Sequence, residues 1–440
     1  MEMNDMILIS VDDHVIEPPD LFKNHMPASL LDKAPKMSSM RGGQDSWVYE
    51  GRSVPNIGLN AVVGRPPEEY GCEPAAYSQI RKGTYSLKER IDDMNVNGVL
   101  SAICFPTFPM FAGTFFLSAT DKELTKAVVS AYNDWHIDEW CGGAPGRFIP
   151  LAILPLWDID ACVAEAKRVA AKGCRTISFP DVPSAKGLPS IHSGHWDPLW
   201  RVLEDNNIVL SVHIGSGAAA PYPAADAPID VWIVNMPMFI ANATSEWLFS
   251  DTFKKFPNLK ISLSEGGIGW VPYLLERADF TYQHHKAWTN ANFGDLLPSE
   301  LFKRNFITCF IDDKFGLQNT QHMNLDKITW ENDYPHSDSL WPNAPEALWP
   351  TIKHLPKESI DKITHLNAMR EFGFDPFKVL NREDCTVGAL RAKAKDVDVS
   401  PIANQGGHNP SNRDGRPVTS GDVAKLFAAS SSNKDLAGAN

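Results

Sequence analysis

The sequence lacks any long apolar run, any run of basic residues and any Cys-x-x-Cys motif. A membrane-spanning helix needs about 20 apolar residues, so none is expected. Nucleic-acid binding needs a concentrated positive surface, whereas this chain carries 41 basic against 54 acidic residues. Its 7 cysteines are scattered and odd in number, which predicts reduced thiols rather than a disulfide framework. We therefore expect a cytoplasmic protein whose partners are neither membranes nor nucleic acids.

The motifs of three common enzyme classes are also missing. There is no glycine-rich phosphate loop, no dinucleotide-binding fingerprint and no Gly-x-Ser-x-Gly nucleophile elbow. The composition is that of an ordinary globular protein, with 43% hydrophobic and 22% charged residues. A chain of 440 residues with this composition is expected to bury a large core.

Short apolar runs rich in β-branched residues recur along the chain, each bounded by turn residues or followed by a helical pattern. These candidate strands are Ile7–Val11, Val99–Phe105, Phe148–Leu154, Thr176–Phe179, Ile208–Val212, Lys260–Leu263, Phe306–Phe310 and Lys327–Trp330. The candidate helices between them are Leu87–Asn95, Glu123–Trp140, Ile159–Ala171, Pro198–Asn206 and Val271–His284. Eight strands that alternate with helices predict an α/β fold with a closed parallel (β/α)8 barrel of the TIM type.

Two connections are too long to be simple turns. Residues 18–86 follow strand 1, and residues 214–250 follow strand 5 and contain the apolar, helix-like run Val231–Phe239. From about residue 396 the chain is rich in small and polar residues. The sequence thus predicts a barrel over residues 1–380, with an insertion at about 18–86, and an irregular, partly flexible extension over residues 381–440. The apolar stretches in these excursions favour a homodimer.

Carboxylates and imidazoles stand at the ends of four of the predicted strands. They are Asp12, His14, His213, Glu265, Asp333 and His336. The carboxyl ends of barrel strands converge on one mouth, so these side chains should meet there. Each alone also fits a plainer role, as a turn carboxylate or a core histidine. Together, their oxygen and nitrogen donors suit a divalent transition metal such as Zn, Fe or Mn.

Four motifs carry a resemblance to a known family. They are Ile9–Pro18 (ISVDDHVIEP), Ser211–Gly215 (SVHIG), Ser264–Gly267 (SEGG) and Asn332–His336 (NDYPH). The chain resembles the amidohydrolase superfamily over roughly residues 7–376, in the branch of aminocarboxymuconate semialdehyde decarboxylase and γ-resorcylate decarboxylase. The resemblance implies that Asp12, His14 and His213 bind the metal, and that Asp333 is a ligand or the catalytic base.

Glu265 departs from this family pattern, which often has a histidine at the same position with a part in acid–base chemistry. Glu265 therefore either inherits that role or binds metal itself, and His336 is a further catalytic candidate. The three carboxylates and three imidazoles are more ligands than one metal ion needs, and they would suit two ions. The chain also resembles amidohydrolase-fold non-haem di-iron monooxygenases. In that case His192, His195 and His336 are candidate ligands of the second ion.

Aromatic and methionine side chains cluster on two predicted mouth loops. They are Phe105, Phe108, Phe111, Trp232, Met236 and Phe239. They predict an apolar pocket wall for a small-molecule substrate, namely a bulky apolar or aromatic acid or acyl compound. The alternative is that these side chains pack between loops or between subunits.

Three functions stay open on the sequence alone. The first is a metal-dependent hydrolase or non-oxidative decarboxylase that uses Zn or Mn. The second is a di-iron monooxygenase that uses O2. The third is a metal-stabilised binding protein without turnover.

Overall fold

The computed structural model describes residues 1–40, 42–54, 57–217, 224–410 and 415–430. Its strands are β1 Leu8–Val15, β2 Lys36–Ser39, β3 Asp45–Tyr49, β4 Arg52–Val54, β5 Val99–Pro106, β6 Leu151–Ala152, β7 Thr176–Pro180, β8 Val209–His213, β9 Ile261–Ser264, β10 Phe306–Phe310 and β11 Ile328–Trp330. Its α-helices are α1 Leu21–His25, α2 Leu87–Val96, α3 Lys122–Asp134, α4 Ile159–Ala171, α5 Asp197–Asp205, α6 Asp230–Leu248, α7 Thr252–Lys255, α8 Val271–Thr289, α9 Pro298–Asn305, α10 Lys314–Gln318, α11 Ala344–Ile352, α12 Lys357–Asp361, α13 Asn367–Glu371, α14 Val387–Ala392 and α15 Ser420–Ser430.

Eight of these strands form one parallel sheet in the order β5-β1-β11-β10-β9-β8-β7-β6. A parallel bridge between Ala102 of β5 and Phe148, just before β6, joins the two ends of the sheet. The barrel strands are buried along their whole lengths, because helices cover the outer face and side chains fill the interior. The predicted (β/α)8 barrel is confirmed.

Several predicted elements differ in extent from the observed ones; β1 continues to Val15 and α8 to Thr289, for example. The third predicted strand, Phe148–Leu154, has one isolated bridge at Phe148 and is a regular strand only at Leu151–Ala152. Beyond it, the side-chain amide of Asn133 accepts a hydrogen bond from the N–H of Ile153 and donates one to its carbonyl, in place of a neighbouring strand. The long helix predicted from Glu123 ends as α3 at Asp134 and continues as a π-helical segment, Trp135–Cys141.

The insertion after β1 contains a small antiparallel sheet, β2-β3-β4, that the sequence pattern did not predict. Trp47 of β3 stacks on Phe108 from the loop after β5, with ring centroids 4.8 Å apart. The insertion after β8 contains α6, whose first half is the predicted apolar run Val231–Phe239. Residues 218–223 of this insertion lie outside the described residues.

The C-terminal extension packs on the barrel and then reaches both insertions. The side chains of Val387 and Leu390 in α14 are buried. His408 forms an antiparallel bridge with Glu73 of the first insertion, and Thr419 forms one with Pro228 of the second. The predicted flexible tail falls partly on residues 431–440, which are outside the described residues. The predicted boundary at residue 380 stays a prediction.

Within the described ranges, the helices are too short or too polar for any of them to cross a lipid bilayer.

Candidate metal centre

Asp12 and His14 lie two residues apart on β1, so the strand alternation turns both side chains toward the same face. Both side chains are fully buried, and His14 Nε2 lies 3.5 Å from Asp12 Oδ1. The backbone N–H of His14 donates to the carbonyl of Tyr334 at 2.6 Å, and the N–H of Asp333 donates to the carbonyl of Asp12 at 2.8 Å. These bonds tie the end of β1 to the turn after β11.

His213 reaches the same point from the end of β8. Its Nδ1 lies 2.7 Å from the carbonyl oxygen of Ile214, which makes Nδ1 the protonated nitrogen and leaves the Nε2 lone pair available. Nε2 lies 3.2 Å from His14 Nε2 and 3.4 Å from Asp12 Oδ2. A histidine held in this way is a preorganised metal ligand.

Glu265 is the first residue after β9, and Asp333 is the third residue after β11. Glu265 Oε2 lies 3.2 Å from His213 Nε2, and Asp333 Oδ1 lies 3.3 Å from His14 Nε2. His336 Nδ1 lies 2.9 Å from the same Asp333 oxygen, and the His336 ring stacks on His14 with centroids 3.8 Å apart. The structure thus brings together all six residues that the sequence placed at strand ends.

Two overlapping donor groups result, each with its ligand atoms within 4.8 Å of one another. One group is His14, Glu265, Asp333 and His336, and the other is Asp12, His14 and His213. Among the described residues, both carboxylate oxygens of Asp12 and of Asp333 are buried without a hydrogen-bond donor. Buried carboxylates without donors are costly, and a bound cation would satisfy them. The donor set therefore fits a divalent metal.

The electrostatics of the cluster support the same conclusion. Burial, followed by the neighbouring carboxylates Glu331 and Asp333, raises the pKa of Asp12 well above its ordinary value. Burial also raises the pKa of Asp333 and of Glu265. Burial lowers the pKa of His213 to about 3, so this ring is neutral and able to bind a metal. A cation at this point would favour the ionised carboxylates and lower their pKa values.

A buried ion pair behind the cluster was not predicted from the sequence. Arg90 of α2 is fully buried, and its Nη1 lies 3.3 Å from Asp13 Oδ2. The guanidinium also donates to the carbonyls of Gly83 and His14, and it lies over the ring of Tyr334 at 4.2 Å. Arg90 thereby fixes the β1 segment that carries the ligands. An arginine in a helical pattern carries no sequence signal for this role.

Two aromatic rings cover the histidines. The Phe111 ring lies 4.9 Å from His14 and 4.3 Å from His213, and the Phe105 ring lies 5.1 Å from His213. Phe105 lies in β5, and the loop after this strand, which carries Phe111, is held by Glu17, a buried carboxylate that the sequence pattern did not indicate. Its two oxygens accept the backbone N–H groups of Thr107 and Phe108 at 2.9 and 2.8 Å.

The other predicted site residues are not members of either donor group. Phe108 is buried between Trp47 and Phe22. Trp232, Met236 and Phe239 lie half-buried on α6. In the loop after β7, His192 lies 3.8 Å from Glu246, and His195 packs on Trp196. Neither of these two histidines belongs to the donor groups found among the described residues.

A family model described as amidohydrolase matches residues 84–374, which is well over half of the chain. The chain belongs to the amidohydrolase family. This membership confirms the predicted family and the prediction of an enzyme.

Two curated relatives are named decarboxylases. The 2-amino-3-carboxymuconate-6-semialdehyde decarboxylase of Dictyostelium discoideum is 24% identical over 312 residues, which are 69% of this chain and 81% of the relative. The γ-resorcylate decarboxylase of Rhizobium radiobacter is 25% identical over 280 residues, which are 58% of this chain and 79% of the relative. The predicted resemblance to this branch of the family is confirmed.

A solved structure with the same fold is the 5-carboxyvanillate decarboxylase of Novosphingobium aromaticivorans, in complex with manganese and 4-hydroxy-3-methoxy-5-nitrobenzoic acid. The TM-score is 0.59 at 19% sequence identity, with 85% of this chain and 99% of that chain covered.

Proposed function

We propose that this enzyme is a metal-dependent, non-oxidative decarboxylase of a bulky aromatic or otherwise apolar carboxylic acid. The observation that carries the proposal is the buried cluster of carboxylates and neutral histidines in contact with the rings of Phe105 and Phe111. The named activities of the two relatives support decarboxylation over hydrolysis.

Asp12, His14, His213 and Asp333 would hold the metal, with Glu265 as a further ligand. A bound divalent cation would supply positive charge for the substrate carboxylate. Manganese is a candidate because a structural neighbour contains it, and zinc is the other. Both accept mixed carboxylate and imidazole ligands.

The reaction exchanges the carboxylate of the substrate for a proton. The carbon that bears the carboxylate accepts a proton, the bond to the carboxylate carbon breaks, and CO2 leaves. Asp333 and His336 would supply this proton, since Oδ1 and Nδ1 lie 2.9 Å apart, although these two atoms form no hydrogen bond in the structure. The Glu265 side chain is 19% exposed, whereas the His213 side chain beside it is fully buried. Glu265 is therefore placed to exchange protons with solvent.

The half-buried ring of Phe111 would bind and orient the substrate, while the fully buried ring of Phe105 packs against His213. Phe111 presents apolar surface beside the charged cluster, so a ligand with one carboxylate and an aromatic body matches both parts of the site. The two rings also keep water away from the cluster, which strengthens its electrostatic interactions.

A di-iron monooxygenase is the second candidate function, because the six carboxylate and imidazole donors of the two groups exceed the about four ligands that one ion needs. Two ions per chain and O2-dependent product formation would favour it. One ion per chain and CO2 release without O2 would favour the decarboxylase. Binding of metal without turnover of any substrate would favour the third function, a non-catalytic binding protein.

The test is CO2 release from a panel of hydroxylated and methoxylated benzoic acids by the Mn2+-loaded chain without O2. Asp333→Asn should reduce the rate at least 100-fold, in the range that loss of general acid–base catalysis produces. Asp205→Asn is the matched control, because this exposed carboxylate ends α5, before the start of β8 and away from the strand ends that carry the donor groups. Failure to release CO2 from any of these acids would count against the proposal.

The homodimer is also a proposal. Helix α8 exposes the large rings of Tyr273, Phe280 and Trp288, and the first half of α6 exposes Val234. An apolar surface of this kind is typical of an interface. Light scattering should give twice 48.7 kDa, and a purely monomeric species would refute the dimer.

A further inference from the structure

Glu331 is a buried carboxylate for which the proposed reaction has no use. It is the first residue after β11, and its backbone N–H donates to the carbonyl of Phe310 at 3.1 Å, which ties it to β10. Its Oε2 accepts a hydrogen bond from the backbone N–H of Glu265 at 3.1 Å. The same oxygen lies 2.6 Å from the thiol of Cys309. Glu331 therefore joins three neighbouring strand ends in the barrel.

The Glu265 N–H needs this acceptor. Strand β9 ends at Ser264, so the next N–H has left the sheet ladder. Glu265 also has a φ of 59°, a left-handed conformation that costs a non-glycine residue about 1–3 kcal/mol. A Cβ on the following residue, Gly266, would lie only 2.1 Å from Ile240, so α6 packs closely over this turn. The conformation of Glu265 persists only if the surrounding contacts hold it.

The hydrogen bond also relates two metal-binding candidates. Asp333 lies two residues after Glu331, so a bond from Glu331 to the Glu265 backbone fixes the end of β9 against the turn that carries Asp333. We propose that Glu331 is a positioning residue, which sets the Glu265 carboxylate at the metal cluster through the Glu265 backbone. This inference rests on the proposed function, because it assigns Glu331 a part in forming that metal site.

Two substitutions separate position from charge. Glu331→Gln removes the charge but keeps an acceptor oxygen at the same reach. Glu331→Asp keeps the charge, but its side chain is one methylene shorter and its oxygen no longer reaches the Glu265 N–H. Glu165→Asp is the matched control, since Glu165 is a buried carboxylate that accepts hydrogen bonds from Ser130 and Asn133 away from the site.

The readout is the Mn2+ dissociation constant of each metal-free, full-length variant, measured by titration calorimetry. Glu331→Asp should weaken binding by about 10–100-fold, as the loss of groups that orient metal ligands does. Glu331→Gln should stay within about threefold of the wild type, because the hydrogen bond is retained. The control should bind like the wild type.

Wild-type affinity in Glu331→Asp would overturn the inference, and so would a larger loss in Glu331→Gln than in Glu331→Asp, since charge would then matter more than position. If Glu331→Asp does not fold, Glu331→Ala takes its place. Tenfold weaker binding by Glu331→Ala together with near wild-type binding by Glu331→Gln supports the inference, whereas wild-type binding by Glu331→Ala or tenfold weaker binding by Glu331→Gln overturns it. A wild-type chain that binds no Mn2+ overturns the proposed function and this inference together. Wild-type binding with unaffected variants overturns the inference alone.

Discussion

Glu265 and Asp333 enter the cluster with the same unusual backbone conformation, with φ values of 59° and 54°. Both are non-glycine residues, for which the left-handed region is strained by about 1–3 kcal/mol each. Both also carry carboxylates into a buried, negatively charged environment. Strain and charge thus coincide at the two residues that the proposed chemistry most needs.

Replacement of Glu265 by glycine should separate stability from function. Glu265→Gly relieves the backbone strain and removes one carboxylate, so the metal-free variant should be more stable to unfolding than Glu265→Ala by about 1 kcal/mol. Both variants should bind Mn2+ more weakly than the wild type. Urea unfolding measures the difference in stability, and titration calorimetry measures the Mn2+ affinity. Equal stability of the glycine and alanine variants would show that the positive φ carries no strain.

The metal-free protein should lose stability as the pH rises above 6.5, the ordinary pKa of histidine, because burial raises the pKa of Glu17 and of Glu331 to about 7. The folded-state pKa values of Asp12, Glu265 and Asp333 are raised, mainly by burial. Their contribution to stability is therefore present at low pH and is lost as they ionise with rising pH. The buried histidines act in the opposite direction only below 6.5, since their pKa values are lowered.

Thermal unfolding at pH 6.5 and about pH 8.5, with EDTA and with Mn2+, tests whether the stability falls as the pH rises. The loss of stability between these two pH values should be smaller with Mn2+ than with EDTA, because the cation favours the ionised carboxylates. A metal-free protein that gains stability over this interval would contradict the electrostatic account.

Removal of the Arg90 guanidinium should destabilise the fold strongly. Arg90→Ala leaves the buried Asp13 carboxylate without its cation, which costs about 3–5 kcal/mol. Burial already raises the pKa of Asp13 to about 6 against the opposing effect of Arg90. The double variant Arg90→Ala with Asp13→Asn should recover part of the loss, and urea unfolding of the full cycle measures how much. Strictly additive effects would mean that the two residues are not coupled.

Two phenylalanines in one loop should behave differently. Phe111→Ala should raise KM for the aromatic acid and leave Mn2+ affinity unchanged, because its half-buried ring covers the histidines. Phe108→Ala should instead lower the free energy of unfolding by about 3–5 kcal/mol, as a buried core ring does. Steady-state kinetics and urea unfolding separate the two effects. A Phe111→Ala variant with unchanged KM would remove this ring from the substrate site.

The barrel and the cluster were predictable because both depend on local sequence. Apolar β-branched runs define the strands, and Asp12, His14 and His213 stand where those runs end. The geometry of a closed barrel then places these ends together without further information. For the same reason, the polar residues at strand ends were the features of the sequence that best predicted the metal cluster.

The supporting contacts were not predictable, because they join distant segments. The bond between Glu331 and the Glu265 backbone depends on the turn conformation after β9, and a positive φ at a glutamate has no sequence signature. The burial of Phe108 depends on Trp47, which lies in a small sheet with weak strand patterning. Only the folded arrangement shows which loop aromatics face the site.

The most direct test of the account is anomalous diffraction at the manganese edge from crystals of the chain grown with Mn2+. The account predicts a peak enclosed by Asp12, His14, His213 and Asp333, with Glu265 close enough to bind and with ligand bonds of roughly 2.0–2.3 Å. A second peak beside His336 would instead favour the two-ion alternative. Crystals without an anomalous peak among these residues, at saturating Mn2+, would contradict the metal-dependent mechanism.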